Sequence, residues 1–249
     1  MKLNKTLVRI LSCFIFQKEK RQAFRQRYRQ YPKGNDIDIH PDDRGRIHLH
    51  LVGQGNKIVI GKMRESRGTI HLSLAGNHCR IEIGEGLIVS KKLVIFMGQD
   101  LPHFGLIENS SLSIGERTSF ESGEIVTLNS NASISVGRRC MFASDTTLFH
   151  TDAHPIMDAQ SGKIINKVRD MVIGDHVWIG NRATVLKNTH IPHDSIVGYN
   201  SVVAARYAHA AAEDGKPGGW IIAGNPAQVV KTGVTWDADS SQGYVQNEP

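Results

Sequence analysis

Cysteine, aromatic residues and long apolar runs are all scarce in this sequence. Its three cysteines, Cys13, Cys79 and Cys140, are odd in number and lack the C-x-x-C spacing of a metal site. This usage predicts reduced thiols in a cytoplasmic protein. Aromatic residues make up 6% of the 249 residues, which favours a core of Ile, Val and Leu. No apolar run approaches about 18 residues, so no transmembrane helix is predicted.

Positive charge is concentrated at the N-terminus. The first 33 residues contain ten Lys or Arg and one Glu, so their net charge is +9. The whole chain has a formal net charge of +6, so the remaining residues carry −3. A chain whose larger part is mildly acidic is not expected to bind nucleic acid.

The basic segment, residues 1–35, has the pattern of an amphipathic helix. Leu3, Leu7, Ile10 and Phe14 recur at helical spacing among the basic residues, and Pro32 and Gly34 end the pattern. Two roles stay open. Such a helix covers the open end of a repeat protein, or it lies on an anionic membrane surface as a peripheral contact.

A six-residue repeat is the strongest pattern in the chain. Six branched apolar residues, which we call the ladder, are spaced six apart without a slip: Ile173, Ile179, Val185, Ile191, Val197 and Val203. This spacing is typical of a parallel β-helix, in which three short strands close a triangular coil of eighteen residues. Gly174, Gly180 and Gly198 follow rungs, where positive φ would suit tight bends.

Imperfect repeats extend this mainly β prediction over residues 36–231. They are Ile83, Val89, Ile95, Leu101 and Ile107; then Ile114, Phe120, Val126 and Ala132; then Val136, Phe142 and Leu148. Loops are predicted at 155–170 and 206–220, where the repeat stops. The segment 232–249 lacks periodicity and is predicted to be a mobile tail.

His154 is the strongest candidate for a catalytic side chain. Continuing the repeat from Leu148 places it where an apolar rung is expected, immediately before the loop at 155–170. Imidazole has a pKa near 6.5 and can accept a hydroxyl proton near neutral pH. Asp152, preferred over Asp145, would hold the ring from its other nitrogen. The twelve histidines show no convergent spacing, so no metal is expected.

Three motifs together resemble the hexapeptide-repeat acyltransferases, and among them the sugar and capsular-polysaccharide O-acetyltransferases. The motifs are Thr151-Asp-Ala-His154-Pro155, Ile173-Gly-Asp-His-Val-Trp178-Ile-Gly180 and Ile222-Ala-Gly-Asn225-Pro226-Ala227-Gln-Val-Val-Lys231, within residues 110–231. The resemblance implies a left-handed parallel β-helix that forms a homotrimer, with acetyl-CoA in the groove between neighbouring chains.

The resemblance also implies roles for single residues. His154 would be the general base, supported by Asp152, and Trp178 would line the site near the thioester. Contacts with acetyl-CoA are expected from a set of five residues: Trp178, Gly180, Asn181, Tyr199 and Lys231. At 199 and 204–205 the chain departs from its relatives, and the acceptor-side asparagine of the galactoside-type enzymes has no match, so a different acceptor is expected.

The sequence therefore predicts an acetyl-CoA-dependent O-acetyltransferase that acts on a hydroxyl of a sugar or cell-surface polysaccharide. In the expected mechanism, His154 removes the hydroxyl proton and the oxygen attacks the thioester directly, so no Ser or Cys nucleophile is required. Cys140 is interpreted as a core residue. The alternatives are N-acylation of a nucleotide-linked amino sugar, and a non-catalytic or carbonic-anhydrase-like β-helix.

Overall fold

The computed structural model describes residues 32–101, 105–204 and 219–238 as a stack of triangular coils. The predicted N-terminal helix, most of the predicted insertion at 206–220 and the tail beyond residue 238 lie outside these residues. Within them the chain forms twenty strands. No helix long and apolar enough to cross a membrane occurs in the part that is described.

Seven parallel strands form the first face of the stack. They are β1 Asp36–Ile39, β3 Lys57–Ile60, β5 Arg80–Ile83, β8 Ser111–Ile114, β10 Ser133–Val136, β13 Met171–Ile173 and β16 His190–Ile191.

The other two faces share two long strands, β6 Ile88–Met97 and β9 Ser119–Thr127, which bend from one face to the next. The second face adds β11 Met141–Phe142, β14 Trp178–Ile179, β17 Ile196–Val197 and β19 Trp220–Gly224. The third face adds β2 Ile47–Val52, β4 Thr69–Asn77, β12 Thr146–Phe149, β15 Thr184–Leu186 and β18 Val202–Val203. Two further strands are β7 Ile107–Glu108, parallel to β4, and β20 Ala227–Thr232, antiparallel to β19.

Three corners connect the faces in each coil. In the ladder region, residues 174–177 turn the first corner from the first face to the second, residues 180–183 turn the second corner, and residues 187–189 turn the third corner back to the first face. The coils from β5 to β18 repeat this order. Residues at equal positions therefore stack at one strand spacing, about 4.8 Å.

The ladder is confirmed as an interior column. All six of its side chains are at most 2% exposed. They belong to a continuous apolar core in which Phe120 and Phe142 stack with ring centroids 4.2 Å apart. The predicted core position of Cys140 is also confirmed, and burial raises the pKa of its thiol to about 11. An acyl-enzyme on this cysteine is therefore not supported.

The coil length of eighteen residues holds only for the ladder. Trp178 pairs with Ile196, 18 residues later. In the earlier coils, Lys57 pairs with Arg80, 23 residues later, because the strands on the third face are longer. Between Met141 and Trp178 the spacing is 37 residues, since the loop at 155–170 leaves the stack in that coil.

The extrapolated repeats fail at two positions. Leu101 is 52% exposed, so it is not an interior rung. Ile125, which is fully buried, takes the interior place predicted for its neighbour Val126. Leu101 lies beyond the end of β6, which is Met97. The strand β9 bends from the second face at Phe120 to the third face at Ile125, and this bend makes the step between inward side chains five residues.

The predicted reason for the glycines is also wrong. Positive φ falls two residues after each glycine, on His176 (φ 55°), Arg182 (φ 58°) and Asn200 (φ 55°). Gly180 is needed for close approach instead, because a Cβ there would lie 2.7 Å from the carbonyl oxygen of Val197 in the next coil.

Candidate active site

His154 lies outside the coil stack. The interior places after Leu148 belong to His150 and Thr151, which are 0% and 2% exposed. His154 itself is exposed at the start of loop 155–170, where the chain has already left the third corner. The premise that His154 replaces an apolar rung is therefore wrong. Its exposure is nevertheless compatible with a side chain that meets a substrate.

The carboxylate of Asp152 contacts Lys187 and Asn166, and the structure does not bring it to the imidazole of His154. Its Oδ2 accepts hydrogen bonds from Lys187 Nζ at 2.7 Å and from Asn166 Nδ2 at 2.7 Å. Burial alone would raise the pKa of this carboxyl, but the two hydrogen bonds outweigh it, so the pKa is lowered. Asp152 is thus an ionised carboxylate at neutral pH, and Lys187 and Asn166 hold it in place.

Asn166 connects the two ends of the loop. Its Nδ2 also donates to the carbonyl oxygen of His154 at 2.9 Å, and its Oδ1 accepts from the amide of Ile156 at 2.8 Å. Lys187 Nζ donates back to the carbonyl oxygen of Asn166 at 3.2 Å. The backbone on both sides of His154 is therefore fixed by one side chain from the returning end of the loop.

His150 makes a further tie at the base of the loop. Its Nε2 lies 2.5 Å from the carbonyl oxygen of Arg169, so Nε2 carries the proton. Burial lowers the pKa of this imidazole. Its Nδ1 is buried and has no hydrogen-bond partner among the described residues. A neutral histidine that closes the base of the loop fits this environment.

The rest of the loop is a short hairpin with an apolar surface. Met157 and Ile164 form an antiparallel bridge, and Asp158 Oδ1 accepts from the amide of Ser161 at 2.7 Å to close the turn. Four apolar side chains on this hairpin are 52–63% exposed: Ile156, Met157, Ile164 and Ile165.

Trp178 lies on the second face, within an outward-facing apolar column. It pairs with Met141 of the preceding coil and with Ile196 of the next, and Ile196 pairs with Ile221. Lys231 on β20 pairs with Ile221 in turn. Trp178 is 36% exposed. Trp178 and Lys231 are thus three strand spacings apart on one face, roughly 14 Å.

The other predicted cofactor residues gather at the second corner, beside Trp178. Asn181 Oδ1 accepts from the amide of Ser144, and Tyr199, 63% exposed, accepts from Arg182 Nη1 at 3.1 Å. Gly180 lies between Trp178 and this corner, where it allows the coils to approach closely. The structure therefore brings all five predicted cofactor residues to one side of the stack.

His154 lies on the other side. It follows the third corner, which is opposite the second face of a triangular coil, so the interior of the stack separates it from Trp178. In a single chain, the predicted general base and the tryptophan predicted to lie near the thioester are therefore apart.

A cluster of charged and imidazole side chains at the first corner has no counterpart among the predicted site residues. A cleft of about 670 Å³ there is lined by Arg138, Arg139, Asp175, His176, His193 and Asp194. Asp194 accepts from Nδ1 of both His193 and His176, at 2.6 and 2.7 Å, and these bonds lower its pKa.

Trp236 packs beside this cleft. Its ring stacks on His176 with centroids 4.2 Å apart, its Nε1 donates to the His176 carbonyl oxygen, and it lies 6.0 Å from Trp178. The predicted mobility of the tail is wrong at this residue, which is 9% exposed. The feature of the sequence that could have indicated this packing is a lone tryptophan in an otherwise polar segment.

The fold and these motifs define a parallel β-helix protein of the hexapeptide-repeat type. No protein-family model matches the chain. Two solved structures are similar to it along most of its length. The polySia-specific acetyltransferase NeuO has a TM-score of 0.53 and 27% identity, over 77% of this chain and 89% of that one. The polysialic acid O-acetyltransferase OatWY has a TM-score of 0.51 and 25% identity, over 82% and 96%.

Curated relatives give the same picture over shorter stretches. A polysialic acid O-acetyltransferase of Neisseria meningitidis is 36% identical over 99 residues, which are 38% of this chain and 46% of the relative. That of Escherichia coli O1:K1 / APEC is 31% identical over 130 residues, 52% and 39% respectively. A chloramphenicol acetyltransferase of Escherichia coli is 29% identical over 120 residues, 48% and 50%.

The chain thus spans half or less of the length of these curated relatives. The likenesses confirm the predicted resemblance to the hexapeptide-repeat acyltransferases, and in particular to those that acetylate a polysaccharide.

Proposed function

We propose that this protein is an acetyl-CoA-dependent O-acetyltransferase whose acceptor is a hydroxyl group of a cell-surface polysaccharide. The observation that supports it most strongly is the likeness to two polysialic acid O-acetyltransferase structures over more than three quarters of the chain. The exposed His154, in its Thr-x-x-His-Pro motif, supplies a base within that fold.

In the proposed reaction, His154 accepts the proton of the acceptor hydroxyl through an unprotonated ring nitrogen. The acceptor oxygen attacks the thioester carbonyl carbon, the C–S bond breaks, and the proton held by His154 passes to the departing sulfur. Backbone N–H groups would stabilise the charge that develops on the carbonyl oxygen. The products are the O-acetyl ester and free CoA.

The second face fits a long ligand that has a thioester at one end and phosphates at the other. Trp178 offers a half-exposed ring for the apolar arm, and Lys231, roughly 14 Å away along the face, offers a cation for a phosphate. Asn181 and Tyr199 flank this path at the second corner. Acetyl-CoA would supply the acetyl group and its leaving sulfur.

The separation of His154 from Trp178 leads us to place the active site between two chains. His154 of one protomer would face Trp178 of the partner subunit, with acceptor and donor held in the shared groove. A closed ring of three protomers makes three such sites from one kind of contact. The exposed apolar hairpin of loop 155–170 extends from the corner that carries His154 and would reach towards that neighbour.

The test is a measurement of CoA release with a thiol reagent, across polysialic acid, a neutral glucan and glucosamine as acceptors. We expect turnover with a polysaccharide that offers hydroxyl groups, and no acetylation of an amine. Turnover with glucosamine alone, giving an N-acetyl product by mass spectrometry, would replace this proposal with N-acylation.

The matching variant is His154→Ala. Removing a general base should lower kcat by about 10²–10⁴-fold while acetyl-CoA binding is unchanged. A control is His190→Ala, a histidine on β16 of the first face. Near-wild-type turnover by His154→Ala would remove His154 from the mechanism.

A further inference from the structure

Loop 155–170 leaves and re-enters the stack through a narrow base that is fastened by side chains from both ends. Besides His150, four residues carry these ties: Asp152 at the outgoing end, Asn166 at the returning end, and Lys187 and Asn188 at the third corner of the next coil. His154 lies within this base, between the residues that Asn166 binds.

The amide of Asn166 uses both of its ends on this short stretch. Nδ2 donates to Asp152 Oδ2 at 2.7 Å and to the carbonyl oxygen of His154 at 2.9 Å, while Oδ1 accepts from the amide of Ile156 at 2.8 Å. A side chain that satisfies residues 152, 154 and 156 together fixes the backbone path on which the imidazole stands.

Lys187 holds this arrangement to the coil stack. Its side chain is 18% exposed, and Nζ contacts both Asp152 Oδ2 at 2.7 Å and the carbonyl oxygen of Asn166 at 3.2 Å. Because Lys187 follows β15, whose Val185 is a fully buried ladder residue, its backbone is anchored by the core. The ion pair between Lys187 and Asp152 therefore fixes the base of the loop relative to the ladder.

We propose that Asn166 and Lys187 are positioning residues for His154, and that Asp152 serves as their anchor and does not orient the imidazole. This inference rests on the proposed function, since it assumes that His154 is the base. It assigns to Asp152 a different task from the one its sequence position suggested. In this arrangement no carboxylate among the described residues of the same chain bonds the His154 imidazole.

Asn166→Asp tests the positioning role of Asn166, because Asp has almost the same shape as Asn. The variant keeps an oxygen for the amide of Ile156, but it loses both Nδ2 donors and places a second carboxylate against Asp152 Oδ2. We expect kcat to fall about tenfold or more, with the KM for acetyl-CoA within twofold of wild type, because a displaced base slows the chemical step.

Asn188→Asp is the matched control. Asn188 also ties the returning end of the loop, by donating from Nδ2 to the carbonyl oxygen of Lys167 at 3.0 Å and accepting from the amide of Arg169. Its side chain makes no hydrogen bond to residues 152–156. We expect its kcat to stay within twofold of wild type. If kcat falls equally in both variants, Asn166 supports the loop in general and does not specifically position His154.

A double-mutant cycle separates the ion pair from the imidazole. Lys187→Met and Asp152→Asn should each lower kcat, and the double variant should be no worse than the poorer single one, because both act through one pair. If Asp152 bonded the imidazole, Asp152→Asn would move the acid limb of the kcat/KM profile down by about one pH unit or more. We expect the acid limb of the profile to move by less than about half a pH unit.

A measurement independent of activity completes the test. Hydrogen exchange of the Ile156 amide should accelerate about tenfold or more in Asn166→Leu, which removes its acceptor, and stay unchanged in Asn188→Asp. If His154→Ala keeps its activity, the proposed role of His154 as the base fails and the positioning role fails with it, whatever the exchange data show. If His154→Ala is inactive while Asn166→Asp is fully active, only the positioning role is overturned.

Discussion

Two neighbouring regions use the same apolar residues in opposite ways. Ile179 of the ladder is fully buried between coils, whereas Ile165 of loop 155–170 is 63% exposed. The ladder region closes on itself every eighteen residues, so each rung stacks on the next, while the loop leaves the stack and returns through one narrow base. The packing of the rungs therefore stabilises the stack, whereas the apolar side chains of the loop lie outside this core.

The largest stability difference should separate these two isoleucines. Ile179→Ala removes a fully buried side chain from a packed column and should lower the free energy of unfolding by about 2–5 kcal/mol. Ile165→Ala should change it by less than about 0.5 kcal/mol, because its side chain is already exposed. Urea denaturation of the two variants at equal concentration measures both, and equal losses would contradict the division between stack and loop.

A smaller effect should appear at low pH in the ion pair that joins the regions. The pKa of Asp152 is lowered in the folded state, so the stability it contributes is present above the ordinary carboxyl value of 3.8 and is lost as the pH falls through the lower folded value. Asp152→Asn should therefore be less stable than wild type by about 1 kcal/mol at pH 7.

Unfolding curves at pH 7 and in the range below 3.8 provide the measurement. The difference between Asp152→Asn and wild type should shrink across that acid range and not between pH 5 and 7. A difference that instead grew as the pH fell through about 6 would implicate a histidine that pairs with Asp152 when it is protonated, and His154 would be the first candidate. That outcome would restore the direct contact between Asp152 and His154.

The ladder could be predicted because its period is set by the backbone itself. When a coil has three two- or three-residue strands and equal corners, every sixth side chain points inward, and the sequence from Ile173 to Val203 shows this without interruption. The loop at 155–170 was visible for the same reason, as the place where the period stops. The three motifs were sufficient to identify the relatives.

The rest depends on contacts between residues that are distant in the sequence. Asp152 is paired with Lys187, 35 residues later, and no periodicity connects the two. Trp236 packs on His176 from a segment with no repeat at all. The exposure of His154 was missed because the period of six was carried past Leu148, into residues that had already left the coil.

The central claim is that a complete site needs two chains, because His154 and Trp178 lie on opposite sides of one stack. It is tested by mixing His154→Ala with Trp178→Ala, two variants that should each be nearly inactive, and allowing them to reassemble. In a closed ring with random assortment, about a quarter of the sites would combine an intact His154 with an intact Trp178, so about a quarter of wild-type turnover should return. If reassembled mixtures stay as inactive as the separate variants, the shared site is wrong.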